Sequence, residues 1–282
     1  MELSKMLKQY LNQPTPIWNT DLTDVLVPKK WNQLCVENTP VEYSIFKCIT
    51  GETKEPVSKS LIAEDSKTEN IYLEAPSEKL NSFYDEHGLD PLSFLEIGQY
   101  NAIPKIKAAL EVLQLQNAVY QDTVKLVKSV LVIKAESIDT DISYSHPNIP
   151  FSIFFSVCES ESEISNLRVA ESMLHEAMHL KLTLIENEVQ LVLPNTGNLY
   201  FSPWREEKRP ARGVLHGLFV FKALLDFFVQ IKPLSSSSAA SEYLNCRVQQ
   251  ITKELLLLRD FALCPDLTED GATLTKNLLP LN

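Results

Sequence analysis

The chain has 282 residues, 44% of them hydrophobic and 22% charged, and carries a formal charge of −11. It is long enough to bury a full core, as one large domain or two unequal ones, and its balance is that of a globular protein, which excludes wholesale disorder. Acidic residues outnumber Lys and Arg 37 to 26, so the basic excess that phosphate binding uses is missing and no nucleic-acid partner is expected.

Residues 1–95 read as an N-terminal extension of unassigned role, ahead of a metal-binding catalytic domain over 96–282. Leu3 to Leu11 has helical spacing and is followed by Pro14 and Pro16. Met1 to Gln13 alternates charged and apolar positions and lacks the apolar core of a signal peptide. Short strands are expected at Val25 to Val27 and Tyr43 to Ile49, and the Lys-, Glu-, Ser- and Thr-rich stretch Thr50 to Thr68 reads as a mobile loop. Cys35, Cys48, Cys158, Cys246 and Cys264 are scattered without a C-x-x-C pair, so reduced thiols in a cytoplasmic protein are the simplest reading.

From Leu95, apolar residues recur at helical intervals through Leu113, with Pro104 near a first turn or a kink, and a second helix is expected at Ala118 to Val127. Ser129 to Lys134 and Phe151 to Val157 are short, rich in β-branched or aromatic residues, and read as strands. Between them lie a turn-like Ile138 to Ser145 and His146-Pro147-Asn148, with His146 a turn residue. His87 reads as a helix-end histidine. A sheet edge beside a metal-bearing helix can pair with an extended peptide and hold it across the ion.

The acids of Glu159 to Glu163 and the N-cap candidates Ser165 and Asn166 open a helix running to Leu184. Within it stands His175-Glu176-Ala177-Met178-His179, the HExxH pattern. Residues four apart on a helix lie one above the other, so His175 and His179 present two imidazoles at a spacing that shares one metal ion. Glu176 is turned one position away, where it can act on a metal-bound water or hold a neighbouring group. Met173, Leu174, Ala177, Met178 and Leu180 supply packing. Ile185 to Leu193 is expected as a strand or hairpin, and Tyr200 to Pro210 as a loop.

A third ligand is needed, and His216 is the candidate, 37 residues beyond His179. It lies in an apolar helix, Ala211 to Ile231, which His216, Lys222 and Asp226 mark as a buried helix and not a membrane span. Gly213 and Gly217 flank it where another backbone or an ion must come close. A satisfied core histidine is the plainer reading of His216. The pattern HExxHxxGxxH fails at Leu182 and Ile185, whereas a Glu ligand stays open through Glu186, Glu188, Glu206 or Glu207. Arg212, at i−4 to His216, then Arg209 and Arg205, are the candidates to grip a carboxylate of an anionic cosubstrate. Pairing with Glu206 and Glu207 is the alternative for each.

With Trp204-Arg205, Arg209-Pro210, Gly213-Val214-Leu215-His216 and Phe221 added to the HExxH motif, residues 95–235 resemble the bacterial HExxH-motif putative peptide-modification proteins of ribosomal peptide natural-product pathways. The resemblance implies an Fe(II)- and 2-oxoglutarate-dependent oxygenase that hydroxylates a peptide side chain at its β-carbon. It also implies that His175, His179 and His216 hold the iron, on a scaffold other than the double-stranded β-helix barrel of most such oxygenases. Three imidazoles suit Zn(II) equally well, which would make Glu176 the general base of a zinc metallopeptidase or related hydrolase. A non-catalytic docking protein is a third reading, through the Leu-rich C-terminal helix expected over Tyr243 to Phe261, with a short last helix at Thr268 to Leu278. The fold expected is α+β and mostly helical, with a small zincin-like sheet beside the HExxH helix.

Overall fold

A computed structural model of the chain describes residues 3–13, 18–37, 60–63, 71–74, 76–137, 140–235 and 237–279. They form two compact units, Lys29–Leu180 on one hand and Met1–Pro28 with Lys181–Asn282 on the other. The division does not fall after residue 95. It passes through two helices, because the first residues of the chain pack with the last ones while β-strands on either side of residue 95 share a sheet.

In chain order the elements begin with helices α1 (Leu3–Asn12) and α2 (Thr20–Glu37), then strands β1 (Ser60–Ala63) and β2 (Ile71–Glu74). Helices α3 (Asn81–His87), α4 (Phe94–Gln99), α5 (Ala102–Gln114) and α6 (Asn117–Leu126) follow, then β3 (Ser129–Val132), β4 (Ser143–Tyr144) and β5 (Ser152–Phe155). The chain continues through α7 (Glu163–Glu186), β6 (Tyr200–Ser202), β7 (Glu207–Arg209), α8 (Ala211–Ile231), α9 (Ser238–Leu256) and α10 (Glu269–Leu278). The architecture is α+β, mostly helical, and the described residues contain no closed barrel.

The unit Lys29–Leu180 is built on a mixed sheet in the order β1-β2-β3-β5-β4. Its centre, β2, β3 and β5, is parallel, and β1 and β4 are antiparallel edges. β3 and β5 are buried at every position, as expected of apolar runs covered on both faces. The expected FSIFFSV strand is therefore interior, and the edge falls instead at Ser143–Tyr144, inside the stretch read as a turn. Part of the expected loop Thr50 to Thr68 is strand β1. The rest of that loop, and the expected strand Tyr43 to Ile49, lie outside the described residues. Asn101, with φ +51°, separates α4 from α5. Pro104 sits in the first turn of α5, where a missing N–H costs nothing.

The other unit gathers α1, the first residues of α2, the end of α7, and everything from β6 onward. Val25 to Val27 is helical, because Leu22, Leu26 and Val27 bury one face of α2 and Asn19 Oδ1 accepts a hydrogen bond from Leu22 N at 3.1 Å. α1 packs on α10, with Asn277 Nδ2 donating to the Leu11 carbonyl at 2.6 Å. Lys181 is fully buried with its ammonium 5.6 Å from the centre of the Tyr10 ring. Ile185 to Leu193 is not a strand. α7 continues to Glu186, and only Val192 makes an isolated bridge, to Leu267. There Gly271 of α10 passes so near that a Cβ on it would lie 1.9 Å from the Leu191 carbonyl oxygen. α8 is long and apolar enough to cross a membrane by composition, but most of it is buried within the fold, as for a core helix.

Candidate metal centre

α7 begins where Ser162 Oγ accepts the Ser165 N–H at 3.0 Å, about three helical turns ahead of the buried stripe Met173, Leu174, Ala177 and Met178. Burying that stripe leaves the neighbouring face, which carries His175 and His179, half-exposed. Their ring centres are 4.9 Å apart and their Nε2 atoms 3.2 Å apart. Two nitrogens each about 2.0–2.1 Å from one ion and separated by that distance subtend about 100° at it, within the range of real coordination angles. The pair thus fits two positions around a metal. Among the described residues, no three His, Cys, Asp or Glu side chains are gathered as a metal-ligand group.

Glu176 is turned from its neighbours into the fold and is buried. Its Oε1 accepts from Ser143 Oγ at 2.6 Å and its Oε2 from Ser145 Oγ at 2.5 Å. Alternation along Ser143 to His146, β4 and the two residues after it, puts both hydroxyls on one side and Tyr144 and His146 on the other. There the Tyr144 hydroxyl meets His87 Nδ1 at 2.9 Å, and the rings of Phe83, His87, His146 and Phe154 close a half-exposed aromatic cluster. Burial, then the charges of Glu176 and Glu86, push the Tyr144 phenol above its usual range. His87 ends α3 ahead of the left-handed Gly88, and His146 stands in a turn, where its Nδ1 accepts from Asn148 N at 3.2 Å.

In the other unit, the stretch expected as a loop before α8 is the hairpin β6–β7. Its four connecting residues end at Glu206 with φ +52°, and Trp204 among them folds back on α8. Trp204 stacks on Phe221, with ring centres 4.7 Å apart and planes 4° from parallel. A Cβ on Gly217 would come within 2.6 Å of the Trp204 ring. Arg209 lies over Gly213 in the same way, 3.4 Å from a Cβ placed there. The two glycines thus admit an indole and a guanidinium stem. Pro210 is the N-cap of α8.

The adjacent face of α8 carries Arg212 and the buried His216, and both meet Glu186 at the end of α7. Arg212 grips that carboxylate as a fork, Nε at 2.9 Å and Nη2 at 2.7 Å from Oε2, and His216 Nε2 lies 2.9 Å from the same oxygen. Burial alone would raise the Glu186 carboxyl. The hydrogen bonds and charge of His216 and Arg212 outweigh it and hold the group below the usual carboxylate range. Arg209 Nε is 3.7 Å from Glu207, and Arg205 is exposed in the hairpin turn. Of the three expected arginines, then, Arg212 already holds a carboxylate of the chain itself.

No family model and no curated protein matches this chain. Ser143 and Ser145 went unread in the sequence because they fall in a segment that looks like a turn. Glu186 was only one of four acidic candidates, although it stands eleven residues after His175, about three helical turns and so on the same stripe.

Proposed function

We propose that this chain is an Fe(II)- and 2-oxoglutarate-dependent oxygenase that hydroxylates a side chain, at its β-carbon, in a ribosomally made precursor peptide. The observation that carries the reading is the convergence of His175 and His179, with Nε2 atoms 3.2 Å apart. The sequence pattern names His216 as the third imidazole. When bound, the iron and oxoacid supply the oxidising power for the net reaction, in which 2-oxoglutarate, O2 and a C–H bond give succinate, CO2 and a C–OH group.

The chain's own residues have separate tasks in this reading. His175 and His179 hold the metal from one rigid helix, which keeps their separation fixed. Glu176 gives both its oxygens to Ser143 and Ser145, which suits a group that anchors the metal helix to the sheet better than one that takes a proton from water. That favours the oxygenase over the zinc hydrolase. A zincin-like arrangement is part of the proposal, supported by the short antiparallel edge β4 beside the HExxH residues. An extended peptide adding to that edge would run past the metal pair, with Tyr144 and His146 as a platform for its side chains. For the distal carboxylate of the oxoacid the sequence names Arg212, Arg209 and Arg205, of which Arg212 is engaged with Glu186.

Anaerobic titration of the metal-free protein with Fe(II), followed by 2-oxoglutarate, tests the proposal. A visible charge-transfer band is expected, lost in His175→Ala and His179→Ala. Tight stoichiometric Zn(II) binding with no such band would replace the oxygenase by the hydrolase, and Glu176→Gln would then be the decisive variant.

A further inference from the structure

Lys105 is a buried charge to which the metal reading gives no task. It stands near the start of α5, only 5% exposed, and its ammonium donates to the main-chain carbonyls of Cys158 at 2.6 Å and Glu159 at 3.0 Å. No carboxylate of the described residues pairs with it, so its charge is met by peptide dipoles alone and one N–H of the ammonium is not taken up. Taking an ammonium out of water is costly unless an anion answers it. This one lines a cavity of about 360 Å³, together with Gln99, Tyr100, Asn101, Glu159 and Glu161.

The same cavity carries a carboxylate held in place. Asn101, in the left-handed region at φ +51°, donates Nδ2 to Glu161 Oε1 at 2.5 Å and leaves Oε2 open. An ammonium and a carboxylate thus line one space without pairing with each other. Its volume lies at the small end of ligand sites, about 300–1,000 Å³, which admits an amino acid and not a stretch of peptide. We propose that this cavity binds a free α-amino acid, its carboxylate on Lys105 and its ammonium on Glu161, with the exposed Glu159 adding negative charge at the mouth. A purely anionic ligand meets repulsion from the two glutamates, and a purely cationic one meets Lys105. The site lies wholly within the unit Lys29–Leu180 and does not depend on a metal at the histidine pair.

The test is calorimetric titration of the full chain with the standard amino acids one at a time, and with acetate, methylamine and inorganic phosphate. At least one amino acid should bind saturably at a single site, tighter than acetate by about fivefold or more, because acetate lacks the contact with Glu161. Methylamine and phosphate should not bind. Lys105→Met should abolish the binding, with circular dichroism confirming its fold, since Lys105 also ties the Cys158 and Glu159 carbonyls to α5. Should that variant not fold, the exposed Glu161→Gln decides: it should remove most of the preference for the amino acid over acetate without weakening acetate. The proposal is overturned if no amino acid binds the wild type saturably, or if acetate or phosphate binds as tightly as any of them. Binding unmoved in a folded Lys105→Met, or a preference unmoved in Glu161→Gln, overturns it as well.

Discussion

At the scale of single residues the most exacting position is Glu176, a buried carboxylate beside the His175–His179 pair whose oxygens each take one serine hydroxyl. Hydrogen bonds to a charged group contribute about 1.5–3 kcal/mol each. Ser143→Ala and Ser145→Ala should therefore each lower the thermal midpoint measurably. The double variant should lose roughly the sum or more, because it strands the carboxylate. Calorimetry on the single and double variants measures this, and a double variant as stable as the parent would show that Glu176 has another anchor. The histidine pair was legible in the sequence because its geometry is set inside one helix, where spacing alone fixes direction. Ser143 and Ser145 were not, because β4 is only two residues long and two residues show no alternation.

At the scale of elements, α8 has two different working faces, and its glycines belong to the one without His216. Gly217→Ala would drive a Cβ to 2.6 Å from an indole that is stacked on Phe221 and cannot retreat. Overpacking of this kind costs about 1–3 kcal/mol. Gly213→Ala meets only the flexible Arg209 side chain, at 3.4 Å, and alanine is favoured over glycine in a helix by about 1 kcal/mol. Gly217→Ala should therefore unfold at lower denaturant concentration than the parent, and Gly213→Ala at the same or a higher one. Equal losses in both would mean that the hairpin does not discriminate between them. The apolar run from Ala211 to Ile231 made α8 legible, and α10 was expected within one residue of its bounds. The hairpin β6–β7 did not, because three-residue strands of mixed polarity carry no period and are held by their register and by Trp204.

At the scale of the whole molecule, the division into two units escaped the sequence for a simple reason. Composition shifts mark linkers, whereas here the boundaries fall within α2 and α7, at positions as regular as their neighbours. Acid should test the C-terminal unit through Asp266. The Thr196 hydroxyl lowers this carboxyl, burial pulls it upward, and Asn198 and Tyr200 add to the lowering, so that the net shift is downward. A depressed carboxyl stabilises the fold fully above its unfolded value of about 3.9, and that contribution is lost as the pH falls through the lower folded value. Glu186 has the same sign. The thermal midpoint should therefore drop on acidification from pH 5 toward pH 3, and Asp266→Asn should drop less steeply. An equal slope in the variant would assign the acid sensitivity to other groups.

The segment Ser143 to His146 sends alternate side chains to opposite sides, hydroxyls to Glu176 and rings to the Phe83 and His87 cluster. A one-residue insertion or deletion there reverses every side chain at once. The rings would be driven against the HExxH helix and the hydroxyls left among aromatics. This stretch can therefore exchange residues of like kind, yet its length is fixed, unlike that of an ordinary turn. Among relatives of this chain, the count of residues between β3 and β5 should vary less than the residues themselves.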